Sequence, residues 1–258
     1  MQMKIFLIIF VSLFTFGLNA QEKKERVPSY FGLQIRPVFP TRFIGNPELN
    51  IEQTDPESVY ITTTLSQKIG YSFGATVRAG LTKLIALETG INFTQRNFDI
   101  TMSVPDSSIS GTNDLSFITY DIPINALFYI RLADKWYMNA SLGFAVNFAP
   151  THVGVQTNPV GIHYFTHTGI LQSKVGFDLN ANIGFEFRTE KSGFFYLGGS
   201  GRVPFAPIFT LATNYRYQGY NSSIYGEVDG SFLSIDFKYF FPNIRNKGNQ
   251  FKHGPIVQ

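Results

Sequence analysis

The chain has 258 residues, 44% of them hydrophobic and only 15% charged, with 27 Phe, 13 Tyr, 1 Trp, no Cys and a formal net charge of +3. Its charged fraction is well below the roughly 25% of an ordinary soluble domain, and so many aromatics exclude a disordered chain. A mean hydropathy of +0.01, with no apolar run of about 18 residues beyond the N-terminus, excludes a bundle of membrane-spanning helices.

Met1–Ala20 reads as a secretory signal peptide. Lys4 precedes the apolar run Ile5–Leu18, and Asn19-Ala20 closes it before the charged stretch Gln21–Arg26. Removing it takes away one Lys, so 20 basic and 18 acidic residues remain, a balance of +2 that offers no bulk attraction for nucleic acid. With no Cys, an exported chain must fold without disulfides or a lipoprotein anchor.

Beyond the leader, period-two alternation predicts eight strands, at Tyr30–Phe39, Ile69–Leu81, Leu84–Ile100, Leu115–Leu132, Trp136–Ala149, Lys174–Arg188, Phe194–Phe209 and Tyr225–Phe241. In the fourth, Ile118, Tyr120, Ile122, Ile124, Phe128 and Ile130 stand in one phase, and Thr119, Asp121, Pro123, Asn125 and Arg131 in the other. Charges decide what the phases mean. Arg36, Arg78, Glu88, Arg96, Asp121, Arg131, Lys174, Asp178, Glu186, Arg188, Arg202, Asp236 and Lys238 all fall in the polar phase. A soluble sandwich or lipocalin-like barrel would hide its apolar phase inside. Here that phase is aliphatic and aromatic while the other carries charges of both signs, which is the lipid-out, polar-in pattern of a transmembrane β-barrel. Closure follows, because an open edge in hydrocarbon leaves backbone groups unpaired.

Connections alternate in length. Leu81–Lys83, Ala133–Lys135 and Thr189–Gly193 are short; Pro40–Lys68, Thr101–Asp114, Pro150–Ser173 and Ala206–Ile224 are long. Trp136, Phe194, Phe195, Tyr239 and Phe241 gather at one rim, and Phe39, Phe93, Phe148 and Phe205 at the other, as two aromatic girdles. The expected fold is all-β: an eight-stranded antiparallel up-and-down transmembrane barrel with long extracellular loops and short periplasmic turns. Residues 1–20 are the leader, 21–28 a periplasmic N-terminal segment, 29–241 the barrel and 242–258 a basic periplasmic tail.

The run Tyr30-Phe31-Gly32-Leu33-Gln34-Ile35-Arg36-Pro37, followed after a long loop by Gly70-Tyr71-Ser72-Phe73-Gly74, resembles the outer-membrane β-barrel proteins of Bacteroidetes, including the PorT-like group. The architecture is also similar to the small OmpA and OmpX barrels. The resemblance covers Ser29–Phe241 and implies residence in the outer membrane after export, with outer-membrane lipid around it. For the PorT-like group it also implies an accessory role in protein secretion. One departure is clear. Those barrels usually finish on an aromatic strand read by the assembly machinery, whereas Phe240-Phe241 is followed here by Pro242–Gln258, with Arg245, Lys247 and Lys252 and no acid. Such a tail suits contact with an envelope partner, as do the extracellular loops.

Eight strands leave a lumen that side chains can fill. The charges pointing into it are read as a structural polar network, since buried charges persist when paired and hydrogen-bonded. A narrow porin-like channel for small solutes is the alternative. His163 and His167 share a face of the third long loop, with His152 before them, a spacing two metal ligands could use. No Cys or acid joins them, so loop polar residues, no metal site and no cofactor are expected. A barrel enzyme acting on lipid or peptide is the third reading. Ser173, the histidines, Asp106 and Asp114 supply residue types without a linking spacing, and the expectation is a non-enzymatic structural or interaction component of the envelope. Loops would carry its specificity: the first with Pro47, Glu48, Glu52, Asp55, Pro56 and Glu57, the fourth with Tyr215, Arg216, Tyr217, Tyr220 and Tyr225.

Overall fold

Alternation becomes strand nearly everywhere in the computed structural model, which describes residues 29–53, 59–82, 84–150, 152–156, 161–189 and 192–242. The expected leader, the 21–28 segment and residues 243–258 of the expected tail lie outside the described residues, as do Asp55, Pro56 and Glu57. Among the described residues thirteen strands follow in order: β1 (Ser29–Pro40), β2 (Glu48–Glu52), β3 (Thr62–Gly80), β4 (Ile85–Val104), β5 (Ile109–Arg131), β6 (Trp136–Phe148), β7 (Val153–Gln156), β8 (Tyr164–Ile170), β9 (Val175–Arg188), β10 (Phe194–Pro204), β11 (Phe209–Tyr217), β12 (Tyr220–Val228) and β13 (Phe232–Phe240).

Eight of them close a ring. The hydrogen-bonded order is β1-β13-β10-β9-β6-β5-β4-β3, and β3 pairs back onto β1, every pairing antiparallel. Strand β2 adds to the outer end of β3. The ring is the predicted barrel of eight, and its outer surface is the predicted apolar phase. Leu142 and Ile183 at mid-strand are each 57% exposed, while Asp121, Asp178 and Glu186 in the other phase are at most 1% exposed. A continuous sleeve of exposed Leu, Ile and Phe around a charged interior belongs in hydrocarbon, not water.

The two girdles are largely in place. Trp136, Phe195 and Phe241 stand out at the short-turn rim, with Phe148 and Phe205 at the long-loop rim. Phe194 is a correction: it is 4% exposed and turns inward, stacking on Phe240 with ring centroids 4.5 Å apart. Its neighbour Phe195 takes the outward position instead.

The long connections depart furthest from expectation. Residues expected to be loops form regular structure, because three strands run well past the membrane zone and their facing pattern inverts there. On β4 the inward phase reads Glu88, Asn92, Thr94 and Arg96, and then Phe98, Ile100, Met102 and Val104. On β5 the inward Asp121 and Thr119 give way to Phe117 and Leu115 toward the same end. On β3 a bulge between Lys68 and Tyr71 keeps Leu65 and Gln67 facing inward like Ser72. Outward positions become polar along the same stretch, with Asp99, Asp114 and Ser116. Once water replaces lipid outside, the pattern reverts to apolar-in, polar-out.

A second, four-stranded sheet covers these extensions in the order β12-β11-β8-β7. It is made from the third and fourth long connections. The predicted strand Phe194–Phe209 ends at Pro204, since Pro204 and Pro207 cannot donate to a ladder, and Phe209 begins β11. The predicted Tyr225–Phe241 is two strands, with Tyr225–Val228 closing β12 before β13. Gln218 and Gly219 join β11 to β12 with φ of 43° and 87°, the pair of positive angles that a two-residue primed hairpin turn needs. Between this sheet and the extended β3–β5 lies an apolar core of Leu65, Phe98, Ile100, Phe117, Phe165, Phe209, Leu211 and Tyr215. Phe209 meets Phe98 edge-on at 5.7 Å and Phe117 at 5.3 Å. The barrel therefore carries a folded cap on its long-loop end.

Candidate functional site

Two interiors could carry function, the lumen and the cap. The lumen is built in tiers. At the short-turn end, Arg78 and Glu88 face each other across β3 and β4. Arg78 donates through Nε and Nη2 to Glu88 Oε2 at 3.0 and 2.6 Å, and through Nη1 to Glu186 Oε2 at 2.5 Å. Arg188 Nε donates to Glu186 Oε1 at 2.6 Å, and Lys238 Nζ to Glu88 Oε1 at 2.5 Å. Aromatic faces complete the enclosure. Arg78 lies 4.2 Å from the Phe240 centroid, and Arg188 the same distance from Tyr137. Cation–π contact of this kind is worth most where water is excluded.

The middle tier centres on Asp121 and Asp236. Asp121 accepts from Arg202 Nη2 at 2.9 Å and Asn92 Nδ2 at 2.8 Å, with the Thr94 hydroxyl 3.1 Å away. Asn92 is also bonded to Gln34. Arg36 Nη2 donates to Ser72 Oγ at 3.0 Å. Asp236 accepts from Asn182 at 2.8 Å, Ser234 at 2.8 Å and Ser200 at 3.0 Å. The space left here is about 20 Å³, room for about one water.

The upper tier is looser. Asp178 Oδ2 sits 3.7 Å from Arg202 Nε and 3.9 Å from Arg96 Nη2, ion-pair distances rather than hydrogen bonds. Across the three tiers, six buried bases (Arg36, Arg78, Arg96, Arg188, Arg202, Lys238) face five buried acids (Glu88, Asp121, Asp178, Glu186, Asp236), a surplus of +1. Arg131 and Lys174, expected among them, lie at opposite rims and are exposed. Arg131 pairs at 2.9 Å with Asp134, in the short turn where its strand leaves the membrane. Sequence reasoning missed the lumen aromatics Tyr30, Tyr129, Tyr137, Phe194, Tyr196 and Phe240. Their signal was legible, since they stand in the same phase as the cations they cover.

The cap holds the loop residues singled out earlier. His163 stacks on Tyr217 at 4.3 Å, and its Nδ1 is 2.6 Å from the Tyr215 hydroxyl. His167 is fully buried beside Thr213, with Nδ1 3.2 Å from Oγ1, and burial lowers its pKa to about 4. His152 Nδ1 accepts from the Leu171 N–H at 3.1 Å. No group of three or more His, Asp or Glu among the described residues is arranged to hold a metal. Ser173 Oγ donates to its own turn at Val175 O, and Asp114 pairs with Lys68 at 3.3 Å. Asp106 sits in the exposed turn Pro105–Ser107 between β4 and β5. Tyr215, expected among the fourth-loop residues that would carry specificity, is 2% exposed in the cap core, whereas Tyr225 is 61% exposed. Glu48 and Glu52 lie on β2, where Glu48 pairs with Arg42 at 2.7 Å.

No family model matches the sequence, and no curated protein matches it significantly. Among solved structures, the chain is similar to the outer membrane protein OprG from Pseudomonas aeruginosa, with a TM-score of 0.50 and 9% identity over 84% of this chain and 98% of that one. At that identity the likeness is one of fold, and it agrees with the closed ring: this is a transmembrane β-barrel.

Proposed function

We propose that the protein is an outer-membrane barrel that works as an interaction or structural component of the envelope, with the folded cap facing outside the cell. It is exported through a cleaved leader and is not an enzyme. One observation carries the reading. The lumen is closed by paired charges and inward aromatics down to a residual 20 Å³ at mid-barrel, while the long-loop end is built into a second packed sheet. Side chains have been spent on filling the channel and on rigidifying its outer end. Rigid, solvent-exposed structure on a fixed scaffold suits recognition.

Support for the outer membrane comes from the lipid-facing sleeve and from the OprG-like fold. The resemblance of Tyr30–Pro37 and Gly70–Gly74 to the PorT-like group supports the narrower role of an accessory to protein secretion. Crosslinking in native envelopes tests the role. A discrete partner captured through cysteines placed at exposed cap positions such as Tyr225, and lost when the cap is deleted, is expected. Single-channel recording tests the closed lumen: no steady conductance steps are expected, and their appearance would favour the narrow channel for small solutes instead.

A further inference from the structure

The cap sheet has two lateral edges, and they differ. At one, β7 is four residues long, and so short an edge offers little template for another strand. At the other, β12 runs for nine residues without a Pro, in unbroken register with β11. Its open edge follows from the turn. In a two-residue hairpin the residues flanking the turn exchange both backbone hydrogen bonds, and every second pair beyond them does the same. Tyr217–Tyr220, Tyr215–Ser222, Thr213–Ile224 and Leu211–Gly226 are those pairs. The N–H and C=O groups of Asn221, Ser223, Tyr225 and Glu227 therefore point away from β11, and no other strand among the described residues pairs with them. Strand β2 lies near but meets β12 through its inward face. Leu49 and Ile51 crowd the space over Gly226, and Gln53 Nε2 donates to Ser222 Oγ at 2.9 Å. The four residues of the open set are all exposed.

We propose that this edge of β12 docks an extended, basic segment of a partner protein, which adds to the cap sheet as a fifth strand. The inference rests on the reading of the cap as a recognition surface and names how it recognises. In strand addition the main chain supplies affinity and alternate side chains supply specificity. Natural proteins blunt their edges with Pro, bulges, inward charges or short length, and β12 uses none of these. Its outward row is graded along its length. Asn214 Nδ2 donates to Asn221 Oδ1 at 2.7 Å and to Ser223 Oγ at 2.9 Å, which occupies that end. Tyr225 stands opposite the small Ala212 and Glu227 opposite the uncharged Thr210. The Tyr225 ring is thus left to pack on a β-branched residue of an added strand. At the Glu227 end the sign is negative: Glu48, Glu227 and Asp229 surround one small cleft, and only Arg42 pairs there, with Glu48. Three carboxylates against one guanidinium favour Lys or Arg opposite Glu227.

Fluorescence anisotropy with the full-length protein, folded in detergent, tests this. The probe is a labelled heptapeptide of alternating valine and threonine between two terminal lysines, so that either strand direction sets a lysine against Glu227. Saturable binding is expected, at least tenfold tighter than that of a copy N-methylated at its five internal residues, which keeps the charge and loses the donors. Ser223→Pro removes a free-edge N–H while leaving the β11 ladder intact, and should weaken binding at least tenfold with unchanged proteolysis of the cap. Glu227→Lys should weaken the lysine peptide several-fold and strengthen one with glutamate at both ends. No saturable binding, equal binding of the methylated copy, or indifference to both substitutions would overturn the proposal. So would a concentration-dependent dimer lost in Ser223→Pro without peptide binding, which would assign the edge to a second copy. An envelope partner crosslinked to the cap of Ser223→Pro as well as to the parent would overturn the edge while leaving the recognition role standing.

Discussion

Glu186 is the residue whose loss should be felt most in the barrel. Its carboxylate receives Arg78 on one oxygen and Arg188 on the other, at 2.5 and 2.6 Å, inside a cluster where Glu88 and Lys238 are the remaining charges. The cluster holds three cations and two carboxylates, a sum of +1; Glu186→Gln makes it +2 without changing volume. Nothing nearby can absorb the change, because Glu186 is 0% exposed, Arg78 2% and Arg188 4%. Removing one partner of a buried pair costs roughly 3–5 kcal/mol, whereas replacing the whole pair by apolar groups costs far less. At about 1.4 kcal/mol per decade, the folded-to-unfolded ratio should fall by roughly two to three and a half decades. The single tryptophan, Trp136, lies half-exposed at the short-turn rim on the strand that pairs with β9, so its fluorescence reports urea unfolding from lipid vesicles. Glu186→Leu combined with Arg188→Leu should be less destabilised than Glu186→Gln alone. A Glu186→Gln protein within about 1 kcal/mol of the parent would refute the idea that the lumen charges are held by their mutual pairing. The variant should still not conduct, since Phe194, Phe240, Tyr129 and Tyr137 occupy the same tier.

Ile183→Arg, at the centre of the lipid-facing side of β9, should cost about 2–4 kcal/mol in the same vesicle assay, against about 0–1 kcal/mol for Phe195→Arg at the rim; equal costs would contradict the facing. Phe209→Ala should loosen the cap by about 3–5 kcal/mol, seen as faster proteolysis of the long connections with no change in the unfolding of the barrel. Acid should act on the cap through His167. Its folded pKa of about 4 lies below the free value near 6.5, so unfolded cap binds the proton more tightly. Cap stability should be full above about pH 6.5 and fall by up to roughly 3 kcal/mol as pH drops through 4. His167→Gln should flatten that dependence in hydrogen exchange; an unchanged pH profile would point to another group.

Much of the barrel was legible because one rule covers it. Wherever lipid lies outside, each residue's phase declares its face, and Ile118 to Ile130 against Thr119 to Asn125 obey it without exception. Legibility failed where the solvent changed. Phe98, Ile100 and Met102 continue the phase of Arg96, so a rule that assigns apolar residues to lipid assigns them to the wrong side. At Lys68 the bulge shifts the alternation by one residue, which made Ile69 look like the start of a strand when β3 begins at Thr62. Of the lumen network, the acids and most of the bases could be placed by phase alone. Arg131 and Lys174 could not, because phase fixes the face and says nothing of depth. Which cation meets which carboxylate depends on register across strands far apart in sequence, as with Arg78 and Glu186.

The inversion also measures how much of each strand the membrane holds. β4 has 20 residues, and at roughly 3.3 Å per residue would span about 65 Å, far more than an apolar band about 25 Å tall demands of a tilted strand. From Ile85 to Arg96, the last charged inward residue, is 96 − 85 + 1 = 12 residues, close to the 9–11 expected for a crossing. The rest of β4, and the matching half of β5, lies in water and forms one wall of the cap. The cap is thus continuous with the barrel through unbroken strands rather than tethered by loops. Rotation of one against the other would tear the β4–β5 ladder, which runs from Ile85–Phe128 up to Val104–Ile109. A partner gripping the cap would therefore pull on strands anchored in the membrane, and the paired lumen charges at their other end resist that pull.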